Sequence, residues 1–100
     1  PVISLVKSIL LVDDDQEIRE LLDIYLTRAG FQVSTVSDGA GFRKALEHTP
    51  CDLLILDVML PDEDGFSLCR WVRQQPRCAQ TPIIMLTASA GEAGQAVQPP

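Results

Sequence analysis

The chain has 100 residues, 46% apolar and 22% charged, which suits one small globular domain with a single core and excludes disordered or fibrous classes. Eight basic against fourteen acidic residues leave a net charge of −6, which argues against any direct grip on nucleic-acid phosphates. No apolar run is long enough to span a membrane, and Lys7 followed by three aspartates stands where a signal peptide would carry its cleavage site, so a cytoplasmic location is expected. Cys51, Cys69 and Cys78 show no short paired spacing and read as small apolar residues rather than a disulfide framework or a zinc site.

In chain order, strand and helix signals alternate. Ser8–Val12 is an apolar run that ends in Asp13-Asp14-Asp15, and Asp14 or Asp15 can cap the helix that follows. Ile18, Leu21, Leu22, Tyr25, Leu26 and Ala29 recur along that helix at three and four residues, the spacing of one core-facing stripe, and Gly30 suits a left-handed cap. Gln32–Val36 is a weaker strand, plausible at an edge. Ser37 or Asp38 then caps a second helix with Phe42, Ala45, Leu46 and Thr49 at helical spacing, its first turn weakened by Gly39 and Gly41 and its end closed by Pro50.

Residues 53–57, Leu-Leu-Ile-Leu-Asp, form the stretch around which the chain is organised. Consecutive branched aliphatics fit a strand buried on both faces, and Asp57 stands where that strand leaves the sheet, the edge at which open α/β folds bind ligands. Residues 61–65 form an acidic turn in which Asp62, Glu63 and Asp64 read as solvated. A third helix follows with Phe66, Cys69 and Val72 as its buried stripe and Arg70, Arg73 and Gln74 outside. Trp71 reads as a half-buried helix residue, and His48, distant from the acids, has no assigned role. Residues 82–87 make a fourth strand that ends in the hydroxyl of Thr87. Strands alternating with helices in this way imply right-handed βαβ units and a parallel sheet.

Seven of the fourteen acids, Asp13, Asp14, Asp15, Asp57, Asp62, Glu63 and Asp64, fall in two loops, and such clustering points to a cation. Taken together, residues 9–15, the 53–57 strand, Met59-Leu60-Pro61, Asp64-Gly65 and residues 82–88 resemble the receiver domain of bacterial two-component response regulators, nearest the OmpR/PhoB class. The resemblance implies a flavodoxin-like (CheY-like) doubly wound α/β fold with four strands in the order 2-1-3-4. It also implies that Asp57 accepts a phosphoryl group from a sensor histidine kinase. Asp14 would then hold Mg²⁺ directly, Asp13 mainly through water, and the backbone carbonyl of Met59 would complete the protein's ligands. Thr87 would be the switch hydroxyl, with Ala88 small enough to leave access.

Physical chemistry favours the same ion independently. Two carboxylates about 4 Å apart repel by roughly 4 kcal/mol at an effective dielectric near 20, so converging acids stay ionised comfortably only around a cation. Mg²⁺ accepts few carboxylates, keeps waters and can bridge to a phosphate oxygen. The bland alternatives are that Asp13, Asp14 and Asp15 only cap a helix and that Thr87 is only a β-branched strand residue; Asp15 is left as structural.

Against the family pattern, residues 1–88 read as a C-terminally truncated receiver and residues 89–100 as a disordered or irregular tail. The fifth strand and the last helices of the family are then expected to be missing. Neither Lys7 nor Lys44 matches the family lysine that would hold the phosphoryl group. An open fourth strand would then favour a homodimer or a strand-exchanged oligomer. Two functions follow as expectations: a Mg²⁺-dependent phosphoacceptor that regulates an output such as transcription, or a phosphorylation-defective fragment that acts only in binding or self-association. An aspartate-nucleophile phosphatase and a dinucleotide-binding fold are disfavoured, because neither an Asp-x-Asp turn of the right kind nor a glycine-rich turn follows the first strand.

Overall fold

Strands covered on both faces read as unbroken apolar runs, and two such runs form the centre of the sheet. In the computed structural model, which describes residues 6–87, they are β1 (Ser8–Val12) and β3 (Leu53–Asp57), each buried at all but its first residue. They pair in parallel, with Leu10 beside Leu54 and Val12 beside Leu56. The half-exposed β2 (Gln32–Val36) adds to the other side of β1 and β4 (Ile83–Leu86) to the other side of β3, giving the order β2-β1-β3-β4 that the family resemblance implies.

Alternation along the strands sorts the core into two layers. Leu10, Val12, Leu54 and Leu56 face one side, where Phe42 and Leu46 of α2 (Gly39–His48) and Leu68 and Val72 of α3 (Gly65–Gln74) complete the larger cluster. Ile9, Leu11 and Ile55 face the other, against Leu22 and Leu26 of α1 (Gln16–Arg28). Helices therefore lie on both faces of the sheet, as a doubly wound fold requires.

Each helix starts at an aspartate. Asp15, Asp38 and Asp64 occupy the N-cap positions and accept N–H bonds from Glu17 and Ile18, from Gly41, and from Phe66, respectively. Such a cap is worth about 1 kcal/mol. At its other end α1 closes as expected of Gly30, whose φ is +102°: the Gly30 N–H bonds the Thr27 carbonyl and the Phe31 N–H bonds the Leu26 carbonyl.

Two stripes differ from the sequence expectation. No residue of α1 is buried, and Leu21 and Tyr25 are 66% and 71% exposed. The helix packs closest to β2, so over β3 and β4 on that face no helix lies among the described residues, and four of the six residues of its apolar stripe, Ile18, Leu21, Tyr25 and Ala29, stay exposed. In α3 the inner stripe is Gly65, Leu68 and Val72, while Phe66 is half exposed. The cause is Gly65. Its N–H bonds the Val58 carbonyl at 2.8 Å, and it lies so close to the end of β3 that a Cβ would strike the Asp57 carbonyl oxygen and come within 2.8 Å of Val58 Cα. This contact sets the rotation of the helix and turns Phe66 outward. The expected tail, residues 89–100, lies outside the described residues.

Gly65→Ala should therefore destabilise the domain by about 2 kcal/mol, since backbone rather than a flexible side chain must yield. Urea unfolding of the two chains measures this difference.

Candidate functional site

Because Val12 is registered with Leu56, the next residues in each strand, Asp13 and Asp57, come side by side at the carboxyl edge of the sheet. Both are buried, at 4% and 5% exposure, and among the described residues they are the only buried polar side chains. Asp14, exposed, completes the group. Carboxylate oxygens of Asp13, Asp14 and Asp57 all lie within 4.8 Å of one another.

The two buried acids are held from several directions. Asp13 donates its N–H to the Val36 carbonyl at 3.2 Å, accepts the Asp15 N–H on Oδ1 at 2.9 Å, and accepts the Arg19 guanidinium on its carbonyl at 2.8 Å. Asp57 Oδ1 accepts the Met59 N–H at 3.0 Å. One strand over, the Val58 N–H bonds the Leu86 carbonyl at 2.8 Å, which brings Thr87, the residue just beyond β4, to the same edge. A cavity of about 330 Å³ opens there, with Asp13, Asp14, Asp57 and Thr87 at its polar end. Ile18, Leu21, Leu22 and Leu86 form its apolar wall, so residues that periodicity assigns to a core stripe in fact line the site.

Burial pushes the Asp57 carboxyl up from 3.8 to about 6; the Met59 N–H opposes this, and the Asp13 and Asp14 charges add to it. Asp13 is raised as well, first by burial, against the Asp15 N–H bond and with the Asp14 and Asp15 charges. Among the described residues no lysine or arginine lines the cavity; the nearby Arg19 guanidinium bonds the backbone carbonyl of Asp13 rather than a carboxylate. The geometry suits a hard cation. Ligand oxygens on one octahedral ion at about 2.1 Å stand roughly 3 to 4 Å apart, and the observed spread reaches that with small side-chain adjustments.

Of the sequence-assigned residues, the structure brings together Asp13, Asp14, Asp57 and Thr87. Met59 lies two residues past Asp57, half of an isolated antiparallel bridge with Asp64, and Ala88 falls outside the described residues. Asp15 is the helix cap it was taken for, and His48 ends α2 away from the acids. The 61–65 turn is not merely solvated: Asp62 accepts the Gly39 and Ala40 N–H groups at 2.9 and 3.0 Å, and Glu63 pairs with Arg43 at 2.6 Å. These partners lie on α2, remote in sequence, and leave no local periodic signal.

No helix among the described residues is long and apolar enough to cross a membrane. Over 91% of its length the chain is 68% identical to the transcriptional regulatory protein GltR of Pseudomonas aeruginosa, covering 38% of that protein. It is 46% identical over 86% of its length to the alkaline phosphatase synthesis transcriptional regulatory protein PhoP of Bacillus subtilis, covering 35%. It thus spans well under half the length of the curated relatives it matches. Among solved structures it is similar to the chemotaxis response regulator CheY4 of Vibrio cholerae, with a TM-score of 0.79 and 32% identity, covering 92% of this chain and 80% of that one. A receiver protein domain from Methanoculleus marisnigri gives a TM-score of 0.76 at 32% identity, covering 95% and 81%. Residues 9–98 match the response regulator receiver domain family, and with an acid site built at the edge this fold reserves for ligands, the chain belongs to that family.

Proposed function

We propose that Asp57 accepts a phosphoryl group from the phosphohistidine of a sensor kinase, with Mg²⁺ held by Asp14, Asp57 and the Met59 carbonyl, and with Asp13 acting through water. The observation that carries this is the convergence of three carboxylates within 4.8 Å at a site whose lining, among the described residues, has no basic side chain. Intact geometry at that site favours a phosphoacceptor over a fragment that only binds or self-associates. By the names of its relatives, the longer protein to which such a domain belongs would regulate transcription.

The mechanism follows from what each group does. Asp57 attacks phosphorus through a carboxylate oxygen as the bond from phosphorus to the donor imidazole breaks; the imidazole leaves with the electron pair, and a mixed anhydride remains on Asp57. The Met59 N–H fixes the rotation of the Asp57 carboxylate through Oδ1. Mg²⁺, when bound, supplies positive charge for the phosphoryl oxygens in flight. Thr87, beside Asp57 in the cavity, donates its hydroxyl to the phosphoryl group once formed and so couples modification to the position of the chain after β4.

Incubation with a small phosphodonor and Mg²⁺ should add the mass of one phosphoryl group to the parent chain and none to Asp57→Asn, and chelation of Mg²⁺ should abolish the addition. An intact-mass measurement without that increment in the parent would refute the assignment.

The raised Asp57 carboxyl has its own consequence for metal-free stability. Between the ordinary value of 3.8 and about 6 the folded chain binds more protons than the unfolded one, so this group makes stability fall as pH rises through that window, and its full cost is present above it. In chelator at about pH 7.5, Asp57→Asn should be more stable than the parent by about 1–3 kcal/mol, the gap narrowing below about pH 6 and closing toward about pH 4. Mg²⁺ should raise the parent's melting midpoint more than the variant's; thermal melts across pH, with and without metal, read both effects.

A further inference from the structure

The loop between β3 and α3 carries Met59, and its three acids each have a partner. Asp62 reaches the first turn of α2, accepting the Gly39 N–H at 2.9 Å on Oδ1 and the Ala40 N–H at 3.0 Å on Oδ2. With Asp38 accepting the Gly41 N–H at 2.8 Å, three successive donors at the start of α2 are taken by carboxylates, two of the three by Asp62 alone. The helix has no acidic residue of its own in that turn. Asp62 titrates below the usual carboxylate range, chiefly because of the Gly39 N–H bond.

Glu63 makes the second tie. Its carboxylate receives both the Nε and a terminal nitrogen of Arg43, at 3.2 and 2.6 Å, and the same guanidinium lies 4.8 Å from the centre of the Trp71 ring on α3. Glu63 also fills the space a side chain at position 39 would need: a Cβ on Gly39 would strike its carboxylate oxygen and lie 2.7 Å from its Cδ. Gly39, a poor helix residue by propensity, thus makes room for the loop that caps its helix. At the far end, Asp64 caps α3 through the Phe66 N–H at 2.8 Å, and Gly65 bonds back to Val58.

We infer that Asp62 and Glu63 are positioning residues, which anchor the β3–α3 loop to α2 and, through Arg43, to Trp71 of α3, so that the backbone of Met59 is held against the acid site. This rests on the proposed metal ligation. Only Leu60 and Pro61 separate Met59 from the Asp62 anchor, while its other side is tied to Asp57, so slack introduced at Asp62 is passed to the Met59 carbonyl with few bonds to absorb it. Neither acid touches the ion or the phosphoryl group.

Calorimetric Mg²⁺ titration of the parent, Asp62→Ala, Asp62→Asn and Glu63→Gln, at a temperature where circular dichroism shows all four folded, tests this. Asp62→Ala should weaken Mg²⁺ binding roughly tenfold, in line with the loss of an outer-shell partner. Asp62→Asn, which keeps an acceptor, and Glu63→Gln should fall between it and the parent. Unchanged Mg²⁺ affinity in all three variants, with only the melting midpoint lowered, would reduce the anchors to ordinary helix capping and overturn the inference alone. A parent chain that binds no Mg²⁺ would instead overturn the metal assignment, and the inference with it.

Discussion

Carboxylates crowded together push apart, and the rest of this domain can be understood as the scaffold that prevents them from doing so. Asp13 and Asp57 are buried polar groups at the ends of the two central, largely apolar strands. They can occupy that position because β1 and β3 are paired in register and covered on both faces, which leaves the strand ends no freedom to separate. Hydrogen bonds from the Asp15 and Met59 N–H groups relieve part of the charge. The remainder is electrostatic energy stored at the sheet edge and available to whatever positive charge enters.

That scaffold is uneven. The face covered by α2 and α3 is closed by Phe42, Leu46, Leu68 and Val72. The opposite face has only α1 over it among the described residues, and the cavity lies beside that helix, walled by its Ile18, Leu21 and Leu22 and by Leu86 of β4. Acid chemistry and exposed apolar surface therefore share one hollow.

Much of this was readable from the residues because the strong signals are short-range. β1, β2 and β3 occupy the ranges their apolar runs suggest, and Asp13, Asp14, Asp57 and Thr87 meet as the strand ends require. Parallel pairing of buried strands leaves little choice of register, which is why so few residues locate the site. The failures share one cause. Phe66 and Leu68 are both apolar and both fit a helical stripe; a steric contact between Gly65 and the end of β3 decides between them. The roles of Asp62 and Glu63 depend on backbone donors and an arginine about twenty residues away, so in the chain they look like any solvated acidic turn.

The close fit of Glu63 over Gly39 bears on how such a chain can vary. A lineage that gained a better helix former at position 39 would have to move the long acid at position 63, and a lineage that shortened that acid would lose its hold on Arg43 and, with it, the stacking on Trp71. Drift at these positions is thereby coupled across three separate elements, so substitutions among descendants should arrive in pairs, with the glycine retained wherever the acid is.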